Sequence, residues 1–355
     1  DSEGEEGKFY VWTRQELIDA LGAEFPAFEA HYPCPAGGNW EEKIILTRAT
    51  HPENPAEDAH LAELRNRLLA VRSQRVRPGR DDKILADWNG LAIAALTRAS
   101  AVFGRPDWLD AAKAAFRAVL ALLGRDDGRF DHAFRRSRIS ASGMLDDQAA
   151  MLRAALALYQ ATGDADYLRR AESLAEATAQ NFGDSTGGFF LTATDAGDLP
   201  GGMRPRGGFD GPTPSGAGLM AEGFSILYHL TGADHYRTQA ESLIAAHAGE
   251  RRALPAYPTL LAAAALLESA ACVVIIGDRT DLRFAELHRA ALSSPDPAVL
   301  ILPVGNAAAL PESHPAYGKT CDSPAAFVCH DRTCSLPVHT ADALRAEISS
   351  RPGQA

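Results

Sequence analysis

The clearest pattern in the chain is a repeat of apolar, helix-spaced segments between residues 85 and 250. Three times such a segment ends at a glycine-led turn, and an alanine-rich helical segment follows. The turns begin at Gly104, Gly163 and Gly232, and an aromatic residue stands four positions after each glycine. A glycine just past a helix supplies the left-handed residue that ends it, and the aspartates in these turns suit the start of the next helix. The pattern therefore predicts three helical hairpins.

The hairpins recur at a spacing of about 60 to 70 residues, which exceeds the periods of the common helical repeats. Long hairpins with long connections predict a mainly α fold, a partial (α/α) toroid, for residues 1–271. Beyond this range the pattern of apolar residues changes. Two apolar runs are typical of buried strands, 272–277 and 298–302, and a helical pattern lies between them at 281–292. Residues 272–355 are therefore predicted to form a small α/β appendage with a cysteine-containing tail.

Charge and cysteine content narrow the classes of function. The net charge of −11 offers no basic face, so we expect no nucleic-acid partner. The one long apolar run, 254–277, contains Glu268 and two prolines and predicts a buried helix and strand rather than a membrane span. Five unevenly spread cysteines favour a reducing, cytoplasmic location. For Cys329 and Cys334 a structural zinc site, a redox-sensitive pair and plain packing remain open, and no metal or cofactor is predicted.

Polar residues recur at one position of the repeat. Asp87, Asp146 and Ser215 each stand seventeen residues before a hairpin glycine, which predicts equivalent places at the starts of the first helices. Helix capping alone is one explanation. More polar residues surround these starts than capping requires, however, and they predict a lined cavity; the additional residues are Asp82, Lys83, Trp88, Asn89, Asp147 and Asp210.

Several segments resemble one known family. They are residues 1–12, 81–91, 145–147, 187–190 and 210–216, and together they resemble the thioredoxin-domain proteins related to spermatogenesis-associated protein 20. The resemblance implies a thioredoxin-like domain followed by a helical toroid similar to six-hairpin glycosidases and N-acylglucosamine 2-epimerases. It also implies that the thioredoxin-like domain and the first hairpins would precede Asp1, so that the ring in this chain is incomplete. Trp40, Gln148 and Ala217 depart from the family pattern.

The resemblance and the polar residues together predict a carbohydrate-handling domain, a glycoside hydrolase or a sugar epimerase. Glycoside hydrolysis needs two carboxyl groups beside the scissile bond, and the candidates are Asp87, Asp146, Asp147 and Asp210. Adjacent helical residues diverge by about 100°, so we expect one of Asp146 and Asp147 to act. The predicted substrate-binding residues are Glu5, Glu6, Asp82, Lys83, Trp88, Asn89, Phe190, Arg204 and Ser215.

Two alternatives accompany this prediction. Epimerisation requires an acid and a base, often histidine, and His132 is the one well-placed histidine. It lies outside the family-like segments, so hydrolysis or simple sugar binding is preferred. The second alternative is a non-catalytic helical scaffold or binding module that serves a thioredoxin-like domain of the same full-length protein in redox protein maintenance. Its support is the fused thioredoxin-like domain that the resemblance implies, together with the pair Cys329 and Cys334.

Overall fold

A computed structural model describes residues 1–196, 203–247, 255–305, 307, 310–330 and 333–350. The chain divides into two compact units, Asp1–Asp82 and Lys83–Ala355. The predicted boundary between residues 271 and 272 lies inside the second unit. No helix among the described residues is both long and apolar enough to cross a membrane.

The first unit contains three α-helices, α1 (Arg14–Leu21), α2 (Phe25–Glu29) and α3 (Pro55–Arg72), and a 3-10 turn at Gly22–Glu24. Helix α1 begins with a capping box: the Thr13 side chain accepts a hydrogen bond from the backbone of Glu16, and the Glu16 carboxylate accepts one from the Thr13 amide at 2.7 Å. The core of this unit is formed by side chains between residues 12 and 68, among them Trp12, Leu17, Phe28, Ile44, Leu61 and Leu64.

The second unit contains the three predicted hairpins, which are confirmed. They are α4 (Ala86–Val102) with α5 (Pro106–Leu123), α6 (Leu145–Thr162) with α7 (Ala165–Phe182), and α8 (Gly216–Thr231) with α9 (Asp234–His247). Gly163 and Gly232 adopt φ values of 63° and 70°, and each donates its amide to the carbonyl four residues earlier. This is the left-handed termination that the glycine pattern predicts.

The first helices of the hairpins pack against one another in chain order. Helix α4 contacts α6, α6 contacts α8, and α8 contacts α10 (Pro258–Ser269). Small residues allow close approach: a Cβ added to Gly90 of α4 would lie 2.6 Å from the Ala150 carbonyl carbon of α6. The second helices pack on the outside of their own partners. This is the layout of part of an (α/α) toroid, so the mainly α prediction is confirmed.

A small antiparallel sheet fixes the loop between the first two hairpins. Strands β1 (Ile84–Leu85), β2 (Ala133–Arg135) and β3 (Arg138–Ala141) lie in the order β1-β2-β3. Strand β1 runs directly into α4, and His132 directly precedes β2. The Ala86 amide donates to the His132 carbonyl at 2.9 Å. The sheet therefore holds His132 beside the N-terminal end of α4.

The predicted α/β segment forms a four-stranded mixed sheet. It contains β4 (Ala271–Ile276), α11 (Leu282–Leu292), β5 (Val299–Val304), β6 (Ala325–His330), β7 (Thr333–Cys334) and α12 (Ala341–Ser349), with strand order β5-β4-β6-β7. Strands β4 and β5 are parallel, and β6 is antiparallel to β4. A disulfide joins Cys329 and Cys334 across β6 and β7.

The two faces of this sheet belong to different cores. One face, with Val274, Leu300 and Leu302, joins the same apolar core as the helical hairpins. The other face, with Val273 and Ile275, packs with the buried sides of α11 and α12. Alternation of side chains along a strand divides the residues between the two faces in this way.

Candidate functional site

The N-terminal ends of α4 and α6, together with the residue before β2, bring four titratable side chains together. They are Asp87, His132, Asp146 and Asp147, and we call them the Asp–His cluster. Asp147 is fully buried. One of its carboxylate oxygens, Oδ1, accepts hydrogen bonds from His132 Nδ1 at 2.9 Å and from the Asp87 amide at 3.1 Å; the other, Oδ2, accepts one from the Met144 amide at 2.8 Å. Asp147 thus joins α4, α6 and the His132 loop.

His132 is held in one orientation by this carboxylate. A carboxylate accepts only, so Nδ1 carries the shared proton and Nε2 is the nitrogen left for proton exchange. The hydrogen bond that His132 donates to Asp147 raises the pKa of His132, partial burial opposes the rise, and the nearby carboxylates of Asp147, Asp87 and Asp146 add to it. The imidazolium form is therefore favoured relative to an isolated histidine.

Asp87 and Asp146 occupy matching places at the second residue of α4 and α6. The Asp87 carboxylate accepts a hydrogen bond from the Trp88 amide at 2.7 Å, and Asp146 accepts one from the Gly216 amide of α8 at 2.8 Å. Burial raises the pKa of both carboxyls, and the charge of Asp147 raises both further. Both groups are therefore protonated more readily than an exposed aspartate, which is what a general acid needs.

Asp146 and Asp147 aim in different directions, as adjacent helical residues must. Asp147 bonds to the start of α4 and to His132, whereas Asp146 bonds to the start of α8. The expectation that the two carboxyls do not converge on one atom therefore agrees with the geometry. Their catalytic assignment, like that of Asp87 and Asp210, stays a prediction.

Donor atoms of Asp87, His132 and Asp147, one from each residue, lie within 4.8 Å of one another. Among the residues that the structure describes, these three are the ones whose side-chain oxygen and nitrogen atoms lie close enough together to hold a metal ion. Both oxygens of Asp147 already accept hydrogen bonds from N–H groups, so a cation there would compete with the Asp87 and Met144 amides. This donor set suits proton transfer better than metal binding.

The carboxylate of Asp210 joins a different pair of helices, α8 and α10. One of its carboxylate oxygens accepts from the Ser215 amide at 2.9 Å, and the other accepts from the Thr259 amide at 2.8 Å and the Thr259 hydroxyl at 2.6 Å. Burial alone would raise the pKa of Asp210, but the hydrogen bonds from Thr259 and Ser215 outweigh it and the pKa is lowered. Asp210 therefore links the starts of α8 and α10 as an ionised carboxylate.

The predicted equivalence of Asp87, Asp146 and Ser215 holds for the two aspartates alone. Asp87 and Asp146 lie within the first turns of their helices, whereas Ser215 precedes α8 as its N-cap and accepts from the Gly218 amide at 3.2 Å. Helix α8 begins two residues later, relative to its glycine, than α4 and α6 do. Equal spacing from the C-terminal glycine therefore does not give equal depth at the N-terminal end.

The predicted binding residues have varied surroundings. Trp88 is 63% exposed beside Asp87, whereas the Asn89 side chain donates to the Leu85 carbonyl at 2.8 Å. Arg204 lies over the Phe190 ring at 4.2 Å and donates to the carbonyls of Thr192 and Asn181, so these two residues fasten the loop that follows α7. Four further predicted binding residues are exposed. Glu5 and Glu6 lie near the start of the first unit, Asp82 is its last residue, and Lys83 is the first residue of the second unit.

The hydrogen bond between His132 and Asp147 was not predicted from the sequence. Histidine alone gives no pattern, and the contact spans fifteen residues of loop and strand. A usable signal was the alternation of polar and apolar residues at 138–141, which is typical of a β-strand. With the apolar Ala133 and Phe134 before it, this run is compatible with a β-hairpin that begins just after His132.

Comparisons with known proteins support the resemblance seen in the sequence. No family model matches the chain. The chain has homologues named spermatogenesis-associated protein 20. The human protein is 26% identical over an alignment of 384 positions that covers 94% of this chain and 48% of that protein. The rat protein is 26% identical over an alignment of 316 positions that covers 77% of this chain and 40% of that protein. The chain therefore spans about half the length of the curated relatives it matches.

Solved structures with partial likeness to the chain include sugar-processing enzymes. An α-mannanase of glycoside hydrolase family 76 from Bacteroides thetaiotaomicron aligns with a TM-score of 0.41 and 18% identity over 54% of this chain and 56% of that one. A cellobiose 2-epimerase from Bacillus thermoamylovorans aligns with a TM-score of 0.40 and 14% identity over 48% of this chain and 45% of that one.

Proposed function

We propose that the Asp–His cluster is an acid–base site that acts on a sugar. The observation that carries the proposal is the hydrogen bond of 2.9 Å between His132 Nδ1 and the fully buried Asp147 carboxylate. A buried carboxylate that accepts from one ring nitrogen fixes the tautomer and orientation of the ring, and it stabilises the imidazolium when the other nitrogen takes a proton. This is the arrangement of a histidine that exchanges protons with a bound molecule.

The second proton carrier is one of the carboxyls with a raised pKa, Asp87 or Asp146. In an epimerisation His132 Nε2 removes the proton from the carbon beside the sugar carbonyl, and the electron pair moves to the carbonyl oxygen. A proton returned to the opposite face of that carbon, from a carboxyl group, completes the reaction. Hydrolysis needs two carboxyls and no histidine. The cluster therefore favours epimerase or isomerase chemistry over the hydrolysis preferred from the sequence.

The residue beside the cluster suits a sugar. Trp88 directly follows Asp87 and is 63% exposed. An exposed indole offers an apolar face for the C–H side of a sugar ring, while carboxylates accept hydrogen bonds from the ring hydroxyls.

The test uses solvent deuterium. The protein is incubated with reducing mono- and disaccharides (glucose, mannose and cellobiose) in D2O, and the sugars are followed by NMR. Proton abstraction predicts deuterium at the carbon beside the carbonyl. Hydrolysis instead predicts new reducing ends without that label.

His132→Asn is expected to slow the exchange by at least about 100-fold, since a positioned acid–base residue contributes about 10²- to 10⁴-fold. His235→Asn on the exposed side of α9 is the matched control and should exchange at the wild-type rate. Absence of exchange with every sugar, or an undiminished rate in His132→Asn, would refute the proposal.

A second candidate function is a non-catalytic scaffold or binding module that serves a thioredoxin-like domain. It is favoured by the way that the carboxylates join neighbouring helix starts: Asp147 accepts from α4, Asp146 from α8, and Asp210 from α10. Under this proposal a thermal-shift screen of the same sugars gives no stabilisation. A sugar-dependent rise in melting temperature that Asp146→Asn abolishes, with the variant still folded, would exclude it.

A further inference from the structure

A second concave site lies on the outer side of α6. It is a cavity of about 360 Å³ between α5, α6, α7 and the turn that follows α5. This volume is at the small end of the range of ligand pockets. Its floor is apolar and is formed by Phe116, Leu120, Phe130, Met151, Ala155 and Leu174.

This cavity is separate from the Asp–His cluster. Ala155 lies nine residues after Asp146 on the same helix. At about 100° per residue, the two residues therefore point to opposite sides of α6. No residue of the Asp–His cluster lines the cavity, although Met151 of its floor lies one turn after Asp147 on α6.

The rim of the cavity carries ion-paired arginines on one side and, on the α7 side, two arginines that share a single carboxylate. Four arginines and two aspartates line it, namely Arg125, Arg129, Arg169, Arg170, Asp126 and Asp166. On the α7 side two arginines share one carboxylate: Arg169 lies 3.3 Å and Arg170 2.7 Å from Asp166. Their side chains are 67% and 43% exposed. Each guanidinium has five N–H donors, so most of them remain available to a ligand.

The opposite rim is fixed in place by ion pairs. Arg129 is almost buried and donates to Asp127 and Asp195, at 2.6 Å in each case. These contacts hold the turn that contains Gly128, whose φ of +84° an L side chain rarely adopts. A Cβ at Gly128 would lie 3.2 Å from Ser173 Oγ of α7. The turn and α7 therefore form the two sides of the cavity mouth. The small residues Gly128 and Ser173 leave this mouth open.

We propose that this cavity binds a small amphipathic anion, an aromatic or short-chain molecule that carries one acidic group. The apolar floor, with the rings of Phe116 and Phe130, takes the hydrocarbon body. The guanidinium groups of Arg169 and Arg170 take the anion, which a planar N–H fork recognises well. On the α7 side two guanidinium groups share the one carboxylate of Asp166, and this local balance attracts an anion.

The test is isothermal titration calorimetry of the full chain with two matched probes, 2-naphthalenesulfonate and neutral 2-naphthol. The sulfonate is expected to bind saturably with one equivalent, and more weakly as salt is added. The naphthol is expected to bind at least about tenfold more weakly, because it lacks the charge-assisted hydrogen bonds. Equal affinity for the two probes, or no saturable sulfonate binding at millimolar concentration, would overturn the proposal.

Variants locate the binding. Ser173→Trp places a large side chain at the mouth from an exposed position of α7 and should abolish saturable binding. The double variant Arg169→Ala, Arg170→Ala should weaken sulfonate binding about tenfold and leave naphthol unchanged. Arg289→Ala on α11 removes an exposed charge elsewhere and should bind as wild type. Thermal unfolding checks that each variant is folded. Wild-type affinity in both cavity variants would place the binding elsewhere and refute the assignment.

Discussion

At the scale of single residues, Asp147 is the centre of the site. Its carboxylate accepts three hydrogen bonds, from His132 and from the amides of Asp87 and Met144, while being fully buried. A buried donor left without an acceptor costs about 1–3 kcal/mol. Asp147 therefore has a structural role whatever the cluster does chemically.

We predict that Asp147→Ala lowers the free energy of unfolding by about 2–4 kcal/mol, since it leaves two amides and the His132 ring without their acceptor. Chemical denaturation measures the change. Asp110→Ala, whose side chain is 77% exposed on α5, is the control and should change stability by less than about 0.5 kcal/mol. A loss as small as that of the control would show that the Asp147 hydrogen bonds are not maintained in solution.

His132 predicts a pH dependence of stability. The hydrogen bond with Asp147 raises the pKa of His132 above its ordinary value of 6.5, so the folded state binds the proton more tightly than the unfolded chain does. The resulting stabilisation is fully present below pH 6.5 and is lost as the pH rises through the raised pKa. The stability difference between wild type and His132→Asn should therefore shrink from pH 6 to pH 9. A difference that is constant or grows with pH contradicts the ion pair.

At the scale of elements, local signals predicted more than long-range ones. Two of the three hairpins follow from glycines that end helices, Gly163 and Gly232, and these act through their own backbone conformation. The capping of one helix by the next is not local: Asp147 serves α4 and Asp146 serves α8. No sequence pattern encodes such a partner, so the sequence predicted polar helix starts but not which groups they contact. For the same reason the sequence does not predict the contact of His132 with Asp147.

The close packing of α4 on α6 gives a prediction at this scale. A Cβ at Gly90 would lie 2.6 Å from the backbone of Ala150, which cannot move without shifting α6. Helix propensity alone favours alanine over glycine by about 1 kcal/mol. Gly90→Ala should nevertheless destabilise by about 1–3 kcal/mol, because the helices must separate. Ala92→Gly, at an exposed position of α4, measures the propensity term alone. Stabilisation by Gly90→Ala would show that the helices are less closely packed.

At the scale of the whole molecule, the α/β segment and the hairpins are tied together within the second unit. Side chains of β4 and β5 belong to the same apolar core as the first helices of the hairpins. Gln160 of α6 also accepts hydrogen bonds from this segment: its side chain from the Ile301 amide at 2.9 Å, and its backbone carbonyl from His288 at 2.7 Å. The boundary predicted at residues 271 and 272 stays a prediction, and the shared core gives the means to test it.

We predict that the hairpins and the sheet unfold in one transition. Leu302 is 1% exposed on β5 in the shared core, so Leu302→Ala should cost about 2–5 kcal/mol. If the core is one cooperative unit, this change lowers the unfolding midpoint of the helices, followed by far-UV circular dichroism, as much as that of the sheet. Leu282→Ala, at a position 80% exposed on α11, is the matched control and should leave the midpoint unchanged. A helical transition that stays at the wild-type midpoint in Leu302→Ala would instead support two independently folding domains that meet near residue 271, because a cavity in one domain then leaves the other intact.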